Sequence, residues 1–137
     1  MDEQEKPLSL VLFSGTDDKL NAAAVLTVGA AAMGRPVNIF LQYYALDAFR
    51  VDRITADHKL SSEATAEQAP VIRAHPGNHW SDLFKQAKDV GDVDIQACAL
   101  SMDMFHLKKA DLDPLVDGIE GVAAFMASAA EGQVAFI

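Results

Sequence analysis

Cysteine is nearly absent. The 137 residues contain one, Cys98, so the chain has no internal disulfide and no Cys-x-x-C pair for dithiol exchange. Basic residues are also scarce: 11 Lys and Arg stand against 20 Asp and Glu, for a net charge of −9. With no basic cluster to neutralise phosphates, nucleic acid is excluded as a partner. Long apolar runs are missing too. Ala22–Met33 is interrupted by Thr27 and Gly29 and is too short to span a bilayer, so no membrane partner is expected. The leading MDEQEKP is acidic where an export signal is basic and then apolar, which with the lone thiol points to a reducing cytoplasm. His75 and His79 are four apart but separated by Pro76 and Gly77, with no third ligand in pattern, so no metal or other cofactor is expected. Ser14-Gly15-Thr16 lacks the glycine pattern of either nucleotide-binding fingerprint.

What is present reads as one α/β domain over residues 8–137, after a frayed lead-in over 1–7. Leu8–Ser14 is nearly continuous apolar sequence, as a parallel strand covered on both faces requires. Asp17 or Asp18 caps a helix on which Leu20, Ala24, Thr27 and Ala31 recur at helical spacing, and Gly34 and Pro36 end it. Val37–Gln42 is the second strand, followed by a short helical piece from Tyr43 to Arg50. Residues 51–77 are polar and give no firm element beyond one candidate helical turn in Ser62–Ala69. Asn78 caps the next helix, with Trp80, Leu83, Phe84 and Ala87 on one face and Gly91 past its end. Val93–Cys98 is a strand, Ser101 caps a short helix, and Lys108-Lys109 suits a helix C-terminus. Asp113-Pro114 predicts a further helix running to Gly132, with Leu115, Ile119, Val122, Met126 and Ala129 as its buried stripe. Gln133–Ile137 is the last strand. The alternation implies a small, mostly parallel sheet of about four to five strands between two helical layers.

Cys98 is the candidate for chemistry. A free cysteine is more often a small buried hydrophobe than a reactive group. Here strand parity groups it with Asp94 and Gln96, opposite Val93, Ile95 and Ala97, which predicts a partly exposed thiol. It also stands at the carboxyl end of a strand, where open α/β sheets gather their ligands. Amides opening a helix at Ser101 would favour a thiolate, whereas Asp103 would oppose it. A lone thiolate can accept a sulfane sulfur as a persulfide and hand it to another thiol. Peroxide reduction would need a resolving thiol from elsewhere.

Three segments, VLFSGTDDKLNAAAVLTVGAAAMGRPVNIF, ACALSMD and DPLVDGIEGVAAFMASAAEGQVAFI, occur in an order that resembles the DsrE/DsrF-like family, most closely its DsrE2-type sulfur-relay members. The resemblance implies a three-layer α/β/α, flavodoxin- or Rossmann-like fold. It also implies a homo-oligomer (trimer or hexamer), a sulfur-accepting Cys98, and TusA-like or rhodanese-like proteins as sulfur donor and acceptor. Residues 51–77 depart from the family, being polar where relatives are rich in Gly and Met. Around the thiol, Ser14, Gly15, Tyr43, Tyr44, Gln96, Ser101, Met102 and Asp103 are the expected surroundings, four of which (Ser14, Tyr43, Tyr44, Met102) also suit a small-molecule pocket. The expected function is a sulfur carrier or sulfurtransferase subunit. The competing reading is a non-catalytic oligomeric assembly module whose Cys98 is inert.

Overall fold

In a computed structural model of the protein, residues 6–137 are described; the first five residues of the expected lead-in lie outside them. Five strands form one all-parallel sheet in the order β4-β3-β2-β1-β5: β1 Leu8–Leu12, β2 Val37–Leu41, β3 Val93–Cys98, β4 Gly118–Glu120 and β5 Gln133–Phe136. Among the described residues six α-helices join them: α1 Asp17–Ala32, α2 Tyr43–Ala48, α3 Gln68–Ala74, α4 Trp80–Val90, α5 Ala99–Met104 and α6 Val122–Ala129. This is the expected α/β architecture.

Parallel strands require crossovers, and the crossovers cover the sheet unequally. On one face α1 and α4 pack together over Leu10, Leu12, Ile39, Leu41, Ile95 and Ala97. The alanines of α1 let its backbone lie close: a Cβ on Gly91, just past α4, would stand 2.8 Å from that of Ala31. From β1 to β4 the strands step in one direction, and the chain then returns past three strands to β5. A right-handed crossover in the reverse direction runs over the opposite face. The helix on that return is α6, which seats Phe125 and Ala129 on Phe40, Cys98 and Val11.

The carboxyl-terminal third corrects the sequence reading. Residues 113–117 do not start a helix. The Asp113 carboxylate accepts the Leu115 N–H, the Asp113 N–H donates to Phe49 O, and the Asp117 N–H donates to Ile95 O, so the segment feeds into β4 instead. Gly118 permits this pairing, since a Cβ there would lie 2.7 Å from the Gln96 side-chain oxygen. The helix begins only at Val122, and of the expected stripe just Leu115 and Ala129 are buried; Ile119, Val122 and Met126 are 44%, 60% and 54% exposed. Four smaller corrections concern caps. Thr16 rather than Asp17 or Asp18 precedes α1, and both aspartates lie in its first turn. His79 rather than Asn78 caps α4, its Nδ1 accepting the Ser81 N–H. Cys98 itself precedes α5, and Ser101 lies inside that helix. Lys108 and Lys109 end no α-helix; they enter a 3₁₀ turn closed by the Lys108 N–H on the Asp111 carboxylate.

Residues 51–77 are ordered by polar contacts rather than by a core. The expected turn in Ser62–Ala69 appears later, as α3, with Pro70 tolerated in its first turn and none of its side chains buried. Asp17, in the first turn of α1, gathers the segment. Its carboxylate pairs with Arg73 at 2.6 Å and accepts the Trp80 indole N–H at 2.9 Å and the His58 N–H at 2.8 Å. Asp18 accepts the Ser61 N–H. Burial pushes the Asp17 carboxyl up, but Arg73, Trp80, the His58 N–H and the His58 ring together hold it below the usual carboxylate range. A depressed folded pKa contributes stability that is complete well above about pH 3.9 and is lost as the pH falls through the folded value. Trp80, the only tryptophan, reports this directly. Asp17→Asn should cost about 1.5–3 kcal/mol at pH 7. It should also flatten the acid-side change in Trp80 fluorescence, and an unchanged acid titration in the variant would refute the assignment.

Candidate functional site

Cys98 closes β3, and its extended backbone starts α5 (φ −67°, ψ 119°). The expected parity holds, with Asp94 and Gln96 half-buried on its side of the sheet and Val93, Ile95 and Ala97 in the main core. The expected partial exposure does not hold: the residue is 5% exposed. It is buried because α6 lies over that face, a consequence of strand order that parity cannot reveal. The cover is thin. Phe125 stacks on Phe40 with ring centroids 4.7 Å apart and planes at 15°, worth about 0.5–1.5 kcal/mol beyond area burial. Phe125 and Ala129 are the only buried residues of α6.

One group beside the thiol comes from β4, in a segment whose pattern predicts helix. In the β3–β4 register Cys98 pairs with Glu120 and Gln96 with Gly118. Glu120 therefore stands directly across from Cys98 on the same face. Burial raises the Glu120 carboxyl above its ordinary range, and the neighbouring Asp94 charge adds to the rise. Asp94 in turn accepts a hydrogen bond from Gln96 Nε2 at 2.9 Å. The signal that could have found Glu120 was Gly118, a glycine set between Val116 and Ile119, which marks close backbone approach.

The other expected neighbours separate. Ser101 is fully buried, and its Oγ accepts the Tyr43 N–H at 3.1 Å, tying α5 to the start of α2. Tyr43 takes φ 44° there, and its ring contacts Phe13 and Phe105. Met102 is buried in the main core, and Asp103 is exposed on α5. Ser14, Gly15 and Tyr44 line a different cleft, beyond β1. Gly15 is required there, because a Cβ would stand 2.4 Å from Tyr44 O. The thiol's neighbours are thus Phe40, Phe125, Ala129 and Val11, with Glu120 across the strand pair.

Three comparisons bear on this arrangement. The profile of the DsrE/DsrF/DrsH-like family matches residues 4–76 and 64–137. The chain belongs to the DsrE/DsrF/DrsH-like family. Over 98% of both chains it is 31% identical to the uncharacterized protein YrkE of Bacillus subtilis (strain 168). Among solved structures it is similar to the protein of unknown function MTH1491 from Methanobacterium thermoautotrophicum, with a TM-score of 0.59 at 13% identity and 97% and 98% of the two chains covered. At that identity the likeness is one of fold. No helix among the described residues of this family member is long and apolar enough to cross a membrane.

If α6 alone shields the thiol, loosening it should expose Cys98 without global unfolding. Phe125→Leu should speed thiol labelling of the native protein roughly tenfold or more, through local opening. Leu10→Val, in the other layer, should not do so at matched stability. Equal acceleration in both variants would show that Cys98 is reached only by global unfolding.

Proposed function

We propose that the protein is a sulfur carrier or sulfurtransferase subunit of a cytoplasmic sulfur relay, with Cys98 carrying the sulfur. Family membership supports a sulfur-relay-related role. The observation that carries the finer reading is the placement of the chain's sole thiol at the carboxyl end of β3, across from a carboxylate and under a single short helix. In the transfer step the Cys98 sulfur attacks the outer sulfur of a donor persulfide R–S–SH. The donor S–S bond breaks as the new one forms, giving Cys98–S–SH and R–SH. Glu120 takes the thiol proton as attack begins and returns it to the leaving thiolate. Its raised affinity for a proton suits that exchange. Donor and acceptor would be TusA-like or rhodanese-like proteins, and α6 must lift to admit them.

Incubation with a sulfane-sulfur donor should add about 32 Da per sulfur to the intact mass. The adduct should be absent in Cys98→Ala and form at least about tenfold more slowly in Glu120→Gln. No adduct on the wild-type chain, or one that persists in Cys98→Ala, would sink the reading.

A second reading, a non-catalytic assembly module with an inert Cys98, draws on the burial of the thiol and on the apolar side chains left in solvent. On α6 and β5, Val122, Met126, Val134 and Phe136 are 60%, 54%, 50% and 67% exposed. Both readings share a homo-oligomer, a trimer or hexamer, that covers these residues. Sedimentation should find the wild-type chain assembled at micromolar concentration and the Met126→Glu/Phe136→Glu double variant dissociated. A monomeric wild type would remove the oligomer from both.

A further inference from the structure

The row that holds Cys98 extends to a third strand. Leu41 of β2 pairs with Ala97 of β3, and Cys98 of β3 pairs with Glu120 of β4. Gln42 follows Leu41 and keeps the strand conformation, with φ −113° and ψ 153°. It also carries the ladder further, its N–H donating to Leu12 O at 2.9 Å. Gln42 therefore falls level with Cys98, and alternation puts it on the face of Phe40, the face that α6 covers. Three neighbouring strands thus set an amide, a thiol and a carboxyl side by side at the carboxyl edge of the sheet. Adjacent strands lie about 4.8 Å apart, so a glutamine side chain spans the gap to the thiol.

The Gln42 side chain has no structural task. The residue precedes α2 but makes no side-chain cap, and glutamine is not among the residues that cap helices well. No described residue bonds its amide, although the position is half-buried at the end of the central strand. Ligands of open α/β sheets meet such strand ends. Its Nε2 offers two N–H donors and no charge. The surrounding elements narrow what those donors can meet. None of β2, β3, β4, α2, α5 and α6 carries a lysine or arginine, whereas Asp47, Asp94, Asp103 and Glu120 lie on them. A sulfonate calls for positive charge on its oxygens and finds none on these elements. A persulfide needs only a donor for its sulfur.

We propose that Gln42 is a further member of the sulfur-transfer site, its amide donating to the sulfane sulfur as Cys98 receives it, and that the row Gln42–Cys98–Glu120 selects thiol persulfides over thiosulfate. The inference rests on Cys98 as the sulfur carrier. With either donor the Cys98 sulfur attacks the sulfane sulfur, and one S–S bond replaces another. A persulfide R–S–SH yields Cys98–S–SH and leaves as R–SH, the Cys98 proton passing through Glu120 to the leaving sulfur. Thiosulfate yields the same adduct and leaves as sulfite, the Cys98 proton moving to the new terminal sulfur. The two reactions differ only in the leaving group, which is one thiol in the first case and an oxyanion set beside carboxylates in the second.

The test times adduct formation by intact mass after mixing the full-length protein with glutathione persulfide or, separately, with thiosulfate. The ratio of the two rates at Cys98 should exceed the ratio at free glutathione by at least about tenfold. Gln42→Leu should slow transfer from glutathione persulfide roughly tenfold, as the loss of one hydrogen bond to a charged group does. Gln42→Arg keeps donors at the position and adds the missing charge. It should hold the persulfide rate within about twofold of wild type and raise the thiosulfate rate roughly tenfold. A packing role would give the opposite order, because arginine disturbs the strand end more than leucine does. Each rate is divided by that of alkylation with neutral iodoacetamide at high pH, where thiols are ionised, which removes differences in access to Cys98. Should Gln42→Leu fail to fold, the wild-type ratio and the Gln42→Arg protein decide the matter. A Gln42→Leu protein as fast as wild type, a thiosulfate rate unmoved in Gln42→Arg, or a wild-type ratio no greater than that of glutathione would each overturn the proposal. An absence of adduct with both donors in every form would overturn the sulfur-carrier reading itself, and this inference with it.

Discussion

The stacking of Phe125 on Phe40 is the contact that closes the second face of the sheet. A parallel sheet exposes two apolar faces, and each must be covered by the helices of its own crossovers. One face receives α1 and α4, and carries nearly all of the large buried side chains. The other receives one short helix, held by Phe125 and Ala129. Everything distinctive about the thiol follows from this imbalance. Cys98 is buried, yet by one helix rather than by the body of the core.

That thin cover separates two properties usually conflated in free cysteines. Burial alone suggests an inert filler, because inert thiols belong to well-packed cores. Here the packing partners form a cluster of their own with a polar margin of Asp94, Gln96 and Glu120 beside them. A site shielded by a weakly anchored element has a low-energy route to exposure, whereas a core cysteine has none. The same thinness leaves Val122, Met126, Val134 and Phe136 in solvent, so access to the thiol and association of the chain compete for one face.

Away from that face, charge takes over the role of packing. Residues 51–77 bring almost no apolar surface to the core, and Ile54 is the main exception. They are held instead by Asp17 and Asp18, whose carboxylates collect an arginine, an indole and backbone amides. This polar strap forms one wall of the cleft beyond β1 and gives it Arg53, His58 and Lys59. The chain thus separates a thiol at the end of β3 from a cationic hollow beyond the end of β1, both at the carboxyl edge of the sheet, where the Tyr43 N–H donated to Ser101 Oγ ties α2 to α5.

The first hundred residues were largely legible because their signals are local. The apolar run at Leu8, the helical spacing of Leu20, Ala24, Thr27 and Ala31, and the alternation in Val93–Cys98 each follow from the period of one element, and each appears as read. Asp113-Pro114 misled because a good helix start was overridden by pairing with β3, and a three-residue strand is too short to show a period. Glu120 was missed with it. Sequence by itself determined the α/β class, the parity that sets Cys98 beside Asp94 and Gln96, and the absence of a second thiol. Only the tertiary structure decided that α6 crosses over Cys98, that Glu120 stands opposite it, and that Arg53, His58 and Lys59 line one cleft with Ser14 and Thr16. The reason is physical: periodicity assigns a residue to a face, whereas strand order and long-range contacts decide what covers that face.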